Sequence, residues 1–409
     1  MHYQRTVLNN GVRIITEELN HVRSVSVGFW FRAGSRHEAS EQSGLSHLIE
    51  HMTFKGTSTR SAKEIAVAFD TIGGQVNAYT SKEYTCYFAK LLDQHFSKGV
   101  ELLADMLLYS QYQPEMLERE KGVVLEEIKM YEDSPDELVH DLISQAVFDQ
   151  HPLGRPILGS QETLTAFTRE SLLEYRNQRY TPDNLVVAVV GNINHERVVE
   201  EISKYFGEWT GQGKQVVQEL PFYHSNRLER IKEIEQAHIC LGVKGISRID
   251  DRKYALLILD NILGGGMSSR LFQELREERG LVYTTYTYHA AYHDTGVFGV
   301  YAGTSRENIP EVITIVQEQF SDILDNNLAI DELNRAKEQI KASLVLNLEN
   351  TASRMGRLGK SELFGEKVKS PNELIELIDN ITADAVVEIA KEILTQEYST
   401  AMVLPKGGV

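Results

Sequence analysis

Residues 24–33 read SVSVGFWFRA, and this stretch decides the fold because the chain repeats its pattern later. Small polar and apolar residues alternate and then give way to a continuous apolar run, which is typical of a buried strand. Residues 236–245, QAHICLGVKG, form a second strand of the same kind roughly 210 residues further on. This repetition indicates two related halves.

The elements around the two strands follow one order in both halves. In the first half, periodicity predicts helices over 44–54, 62–72, 96–109 and 114–131 and strands over 11–17, 75–80, 84–91 and 184–191. In the second half, it predicts helices over 251–263, 309–324 and 332–346 and strands over 296–302 and 398–404. We therefore expect an α+β protein with two homologous domains, residues 1–212 and 213–409, each a mostly antiparallel β-sheet packed with α-helices. Residues 211–215, GQGKQ, have the composition of a linker.

The overall composition is that of a globular protein without a membrane segment. The chain has 409 residues, of which 42% are hydrophobic and 25% charged. No run approaches the roughly 18 apolar residues of a membrane span, and the first residues do not resemble a secretory signal. Two cysteines are too few for a disulfide framework. We expect a cytoplasmic protein that does not associate with membranes.

The formal net charge of −17 bears on possible partners. A nucleic-acid partner is disfavoured, because phosphate binding requires concentrated Lys and Arg. An acidic surface attracts basic or amphipathic peptides, although acidity also serves solubility alone.

The most informative motif is GLSHLIEHM, residues 44–52. On a helix, His47 and His51 project from one side about one turn apart, so that both imidazoles can hold one Zn²⁺. Glu50 lies beside both and can reach a water molecule. The order His-x-x-Glu-His is the inverse of the commoner His-Glu-x-x-His of metallopeptidases. The alternative is two core histidines that happen to be four residues apart.

A second helix offers the missing ligand. Residues 118–128 read EREKGVVLEEI, in which Glu120 and Glu127 are seven residues apart on one face. A carboxylate on a mostly apolar face needs a partner, and a metal ion is a suitable one. The alternative is a stripe of solvated glutamates.

The motif His47-x-x-Glu50-His51 followed by Glu127 resembles the M16, or pitrilysin-type, metallopeptidases. The two-domain form is similar to the β subunit of mitochondrial processing peptidase and its bacterial homologues, and the resemblance spans essentially the whole chain. It implies that His47, His51 and Glu127 bind zinc and that Glu50 is the general base. It also implies that Glu120 supports a histidine ligand or the electrostatics of the site.

The resemblance further implies residues that contact substrate. Asn77 and Ala78 match the segment that binds the substrate backbone, and Phe54 matches a residue of the pocket beside the scissile bond. Arg276 and Tyr283 match an Arg-x6-Tyr pair that contacts substrate and stabilises the oxyanion. Glu50, Glu120, Arg276 and Tyr283 are thus the catalytic candidates.

The second half lacks the zinc motif, since residues 257–262 read LILDNI. We therefore expect one zinc ion per chain, a catalytic N-terminal domain and a C-terminal domain that contacts substrate. The family resemblance implies a homodimer with a closed chamber that admits short or unfolded peptides. Arg276 and Tyr283 then face either the zinc site of their own chain or that of the partner.

Three functional interpretations remain open. The leading one is a zinc endopeptidase similar to processing peptidases. The others are a non-catalytic subunit that holds peptides and a peptidase that requires a different partner chain. An intact set of His47, Glu50, His51 and Glu127 argues against the non-catalytic interpretation, because a scaffold does not need a general base.

Two further features are not expected to be functional sites. His289 and His293 are also four apart, but a strand would separate them by about 13 Å. Cys86 and Cys240 lie in strand patterns and are expected to be packed thiols. A catalytic cysteine would need a neighbouring histidine, which the sequence does not identify.

Overall fold

The computed structural model describes residues 3–213, 219–325 and 328–406. These residues form two compact units, each built from three segments of the chain. Unit 1 comprises Met1–Ile128, Pro156–Gln218 and Leu346–Ser370, and unit 2 comprises Lys129–Arg155, Glu219–Val345 and Pro371–Val409. Lys214 and Gln215 of the predicted linker lie outside the described residues.

The elements are numbered along the chain. The strands are β1 Tyr3–Val7, β2 Arg13–Glu18, β3 Ser24–Phe31, β4 Gln75–Thr80, β5 Thr85–Leu92, β6 Leu185–Gly191, β7 Arg227–Lys232, β8 Ala237–Gly245, β9 Val282–Ala291, β10 Gly296–Thr304 and β11 Ser399–Pro405. The helices are α1 Leu45–Thr53, α2 Ala62–Thr71, α3 Phe96–Tyr109, α4 Pro114–Glu132, α5 Pro135–Phe148, α6 Gln161–Ala166, α7 Arg169–Arg179, α8 His195–Phe206, α9 Lys253–Gly264, α10 Ile309–Asp325, α11 Ile330–Asn347, α12 Thr351–Phe364, α13 Pro371–Asp379 and α14 Ala383–Leu394.

The sheet of unit 1 has the strand order β1-β2-β6-β3-β5-β4. Neighbouring strands are antiparallel except for β2 and β6. The central strand β3 is buried along nearly its whole length, as its apolar run predicts, whereas β4 forms an edge and alternates between exposed and half-buried residues. The edge strand β4 therefore has one side free to pair with another backbone.

One face of this sheet forms the main core with helices that include α1, α3, α7 and α8. The opposite face is covered by α12, which comes from the second half of the sequence. Two glycines permit this close approach. A Cβ atom on Gly28 would lie 2.4 Å from Met355 Sδ, and one on Gly359 would lie 2.3 Å from Trp30 Nε1.

The sheet of unit 2 has the order β7-β11-β8-β10-β9 and is antiparallel except for β7 and β11. Helix α5, from the first half of the sequence, packs against β8 and β11. Gly242 of β8 repeats the role of Gly28, because a Cβ atom there would lie 2.7 Å from Ile143 Cγ1. Each half of the chain thus contributes one helix to the sheet formed by the other half.

The structure confirms the predicted α+β class with two mostly antiparallel sheets. The exchange of α5 and α12 was not part of the predicted division at residues 212 and 213, which considered only the order of elements along the chain. That division stays a prediction about where the repeated halves meet. In the part of the chain that the structure describes, no helix is long and apolar enough to cross a membrane.

Candidate metal centre

Helix α1 carries the two histidines, and its start is fixed by Glu38, which no sequence pattern marks. The Glu38 carboxylate accepts hydrogen bonds from the backbone N–H groups of Gly44 (2.8 Å) and Ser46 (2.6 Å). Gly44 has φ +95°, and a Cβ atom there would lie 2.5 Å from the carbonyl oxygen of Leu158. The helix therefore begins at one defined position, which fixes where its side chains point.

The apolar face of α1 is buried and orients the imidazoles. Leu45, Leu48, Ile49 and Met52 are fully buried in the main core. The rings of His47 and His51 lie on the other side of the helix, with their centroids 4.6 Å apart. Their spacing of four residues brings the two nitrogen donors together, as predicted.

Helix α4 brings Glu127 to these two rings. Glu127 Oε2 lies 3.7 Å from His47 Nε2 and 3.7 Å from His51 Nε2. In a tetrahedral zinc site, ligand atoms about 2.0–2.2 Å from the metal lie about 3.4 Å from one another. The three donors all lie within 4.8 Å of one another, so they fit around one zinc ion after small side-chain shifts. Across residues 3–213, 219–325 and 328–406, no other trio of His, Cys, Asp or Glu side chains meets this distance criterion.

His47 has the electronic state that a metal ligand needs. Burial, together with the neighbouring His51, lowers the pKa of His47 to about 3. The imidazole is therefore neutral at physiological pH, and a ring nitrogen keeps its lone pair for a metal ion. Its Nδ1 atom is buried and has no hydrogen-bond partner among the described residues.

Glu120 connects His51 to Lys55, a cation that no sequence pattern marks. One carboxylate oxygen of Glu120 lies 3.2 Å from His51 Nδ1, and the other lies 2.7 Å from Lys55 Nζ. The side chain of Glu120 is only 7% exposed, so the ion pair with Lys55 compensates a buried charge. An acceptor at Nδ1 favours the tautomer that directs the Nε2 lone pair towards Glu127.

Glu50 lies on the same helix but is absent from the group of metal donors. Burial raises the pKa of its carboxyl group, while a hydrogen bond from Thr80 opposes that shift. Thr80 Oγ1 donates this bond to Glu50 Oε2 over 2.5 Å. No sequence pattern marks Thr80, although it follows Asn77 and Ala78 on the same strand.

The residues of unit 1 that are predicted to contact substrate lie on β4 and directly after α1. Asn77 and Ala78 lie on the edge strand β4, and the Ala78 N–H donates to Asn77 Oδ1 over 2.8 Å. Phe54 directly follows α1 and packs, half-buried, against the main core, with its ring centroid 6.4 Å from that of Tyr87.

Arg276 and Tyr283 lie together in unit 2. Arg276 belongs to a short π-helical segment, Phe272–Glu278, and Tyr283 lies on β9. The Arg276 guanidinium carbon is 4.8 Å from the ring centroid of Phe272 and 5.6 Å from that of Tyr283. Tyr283 is 71% exposed, which leaves it accessible to a ligand.

A histidine, His140, does lie beside one of the two cysteines, Cys240, although the sequence did not identify it. His140 Nδ1 lies 3.8 Å from Cys240 Sγ, and His140 Nε2 lies 2.8 Å from the Tyr286 hydroxyl. Cys240 is fully buried, and burial raises the pKa of its thiol. Because a thiolate is required for nucleophilic attack, this cysteine is a packed thiol. His289 is held by the carbonyl oxygen of Ile246, which its Nε2 approaches to 3.1 Å.

Comparison with known proteins identifies the families that resemble the two parts of the chain. Residues 13–161 match the family described as insulinase, peptidase family M16, and residues 166–340 match the peptidase M16 inactive domain. The first match contains His47, Glu50, His51, Glu120 and Glu127. The second lacks the zinc motif, in agreement with its description.

Similar proteins cover the chain almost completely. The uncharacterized zinc protease YmxG of Bacillus subtilis is 47% identical over 406 residues, which are 99% of each chain. The uncharacterized zinc protease SCO5738 of Streptomyces coelicolor is 40% identical over 98% of this chain and 89% of its own.

Two solved structures share the fold. A protease from Helicobacter pylori superposes with a TM-score of 0.91 at 22% identity and covers 99% of both chains. A peptidase M16 inactive domain from Pseudomonas fluorescens superposes with a TM-score of 0.93 at 20% identity and covers 100% of this chain and 99% of its own.

Proposed function

The chain belongs to the M16 family of zinc metallopeptidases, and on this premise we propose that it is an endopeptidase that hydrolyses short or unfolded peptides, in the manner of a processing peptidase. The convergence of His47, His51 and Glu127, with the carboxylate of Glu50 on the same helix, carries the proposal. These three residues would hold zinc, which lowers the pKa of a coordinated water towards about 7 and polarises a carbonyl group.

Glu50 supplies the proton transfer. Its carboxylate accepts a proton from the attacking water at Oε1, while Oε2 stays bonded to Thr80. Glu50 then delivers that proton to the nitrogen of the departing amine. In the metal-free site, burial raises the pKa of the Glu50 carboxyl group above its ordinary value.

The edge strand β4 orients the peptide. An extended substrate can pair with the free side of β4 through backbone hydrogen bonds. The Ala78 N–H is bonded to the side chain of Asn77, so Asn77 has to rotate before a substrate carbonyl can accept from Ala78. Asn77 thus protects the strand edge until a peptide replaces it.

Tyr283 is proposed to donate its hydroxyl proton in a hydrogen bond to the developing oxyanion, with Arg276 holding the ring in place. Replacing Tyr283 with Phe is expected to lower kcat by about 10²-fold, the lower end of what one oxyanion donor contributes. The fold should survive because the ring is exposed. The measurement is kcat and KM on one fluorogenic peptide, with Tyr109→Phe as the control at another exposed tyrosine. Wild-type kcat in Tyr283→Phe would contradict this role.

Peptide cleavage by the purified protein tests the proposed function. We expect a quenched fluorescent basic peptide to be cut, the activity to disappear with a chelator, and Zn²⁺ to restore it. A zinc-loaded protein that cuts none of a broad peptide panel would support the non-catalytic interpretation or the one with a missing partner chain.

The homodimer, the closed chamber and the cytoplasmic location stay predictions from the family resemblance and the composition. The mass of the purified protein in solution tests the first of them.

A further inference from the structure

We propose that Thr80 is a positioning residue that holds the general base and couples it to the strand on which the peptide binds. The inference deepens the proposed function and rests on it. It starts from the hydrogen bond that Thr80 Oγ1 donates to Glu50 Oε2 over 2.5 Å. A hydroxyl bonded to a charged carboxylate makes a short and strong hydrogen bond, so this contact restricts rotation of the Glu50 carboxylate.

The hydrogen bond from Thr80 gives the two carboxylate oxygens of Glu50 different roles. Oε2 accepts from Thr80, which leaves Oε1 to take the proton of the attacking water. A general base must lie within hydrogen-bond reach of the proton that it removes. Without the hydroxyl, the half-buried Glu50 side chain would sample several rotamers, and only some of them would aim an oxygen at the water.

The position of Thr80 is fixed because backbone hydrogen bonds hold the turn that follows it. The N–H groups of Ser35 and Arg36 donate to the carbonyl oxygens of Ser81 (3.2 Å) and Lys82 (2.7 Å). The side chain of Arg36 forms a buried ion pair with Glu83 at 2.8 Å. The position of the hydroxyl is therefore set by the fold of unit 1.

Thr80 also ends the strand that is proposed to bind the peptide. It lies three residues after Asn77 and two after Ala78 on the edge strand β4. A peptide that pairs along β4 therefore lies on the same strand that holds the Glu50 carboxylate. Correct docking of substrate and correct aim of the base are thus linked through one short segment.

The test compares Thr80→Val with Thr80→Ser in the zinc-loaded full-length protein. Valine keeps the branched shape that a strand favours and removes the hydroxyl, whereas serine keeps the hydroxyl. We expect Thr80→Val to lower kcat roughly ten- to hundredfold with little change in KM, as part of the contribution of a positioned base. Thr80→Ser should recover most of that loss. Zinc content should equal that of wild type in both variants, because Glu50 is not among the metal donors.

A matched control is Thr71→Val, which removes a hydroxyl that bonds only the Val67 carbonyl oxygen at the end of α2. This variant should cleave the peptide like wild type. Wild-type kcat in Thr80→Val overturns the proposal, and so does an equal loss in Thr80→Val and Thr80→Ser, which would indicate packing. A lowered zinc content would also overturn it. Failure of the proposed function is distinguishable, because then the wild-type protein itself cuts no peptide.

Discussion

Replacement of Glu50 by Gln is expected to lower kcat by about 10³- to 10⁴-fold, the upper part of what proton transfer by a positioned side chain contributes. The amide has the shape of the carboxylate and can still accept a hydrogen bond from Thr80, but it cannot take a proton from water. Zinc content should match that of wild type, since Glu50 is not among the metal donors. The temperature of unfolding should not fall, because the amide removes a charge whose burial raises the pKa of Glu50. Peptide cleavage, metal analysis and thermal unfolding of the same preparation measure these three quantities.

The control for this variant is Glu41→Gln, which removes the same charge from an exposed position in unit 1. It should leave kcat unchanged. If Glu50→Gln cut the peptide as fast as wild type, another group would have to be the base. If it lost its zinc, Glu50 would belong to the metal site.

Replacement of Glu127 by Gln is expected to weaken zinc binding more than replacement of Glu120 by Gln. Glu127 Oε2 lies 3.7 Å from the Nε2 atoms of both histidines, and a neutral amide oxygen is a much weaker ligand than a carboxylate. Glu120→Gln is the matched comparison, because Glu120 contacts His51 only at Nδ1. We expect about 10- to 100-fold weaker zinc binding for Glu120→Gln, as for other residues that orient ligands, and a greater loss for Glu127→Gln.

Competition with a chelator of known zinc affinity ranks the zinc affinities of wild type, Glu120→Gln and Glu127→Gln. Unfolding of the metal-free forms should occur at similar temperatures, so that a difference in affinity reports on the site. If Glu120→Gln bound zinc more weakly than Glu127→Gln, Glu120 would be the metal ligand and Glu127 the residue that orients a ligand.

The sequence predicted those parts of the site that follow from helical spacing. His47 and His51 converge because residues four apart share a helix face, and the seven-residue spacing of Glu120 and Glu127 places both on the side of α4 that meets α1. Thr80, Lys55 and Glu38 were missed because no periodicity marks them. Each acts through hydrogen bonds or an ion pair whose partners are set only by tertiary packing.

The sequence predicted the two sheets but not the sheet that each of α5 and α12 covers. Apolar runs predicted β3 and β8, and the repeated order of elements predicted two similar sheets. The exchange of α5 and α12 could not be predicted in this way, because the apolar face of a helix does not specify which of two related sheets it covers. Gly28 and Gly242 occupy equivalent places under these helices, but a glycine inside a strand can equally mark a bulge, a tight bend or the close approach of a ligand.

This exchange has a consequence for a nicked chain. A single proteolytic cut after Gly213 would leave two fragments, each of which still holds a helix buried on the other fragment's sheet. Trp30, Cys86 and Val186 of the first fragment lose their apolar cover if the fragments part, and so do Cys240, Val297 and Val403 of the second. The cut protein would therefore behave as a tightly held heterodimer, and either fragment produced alone would tend to aggregate until its complement was supplied.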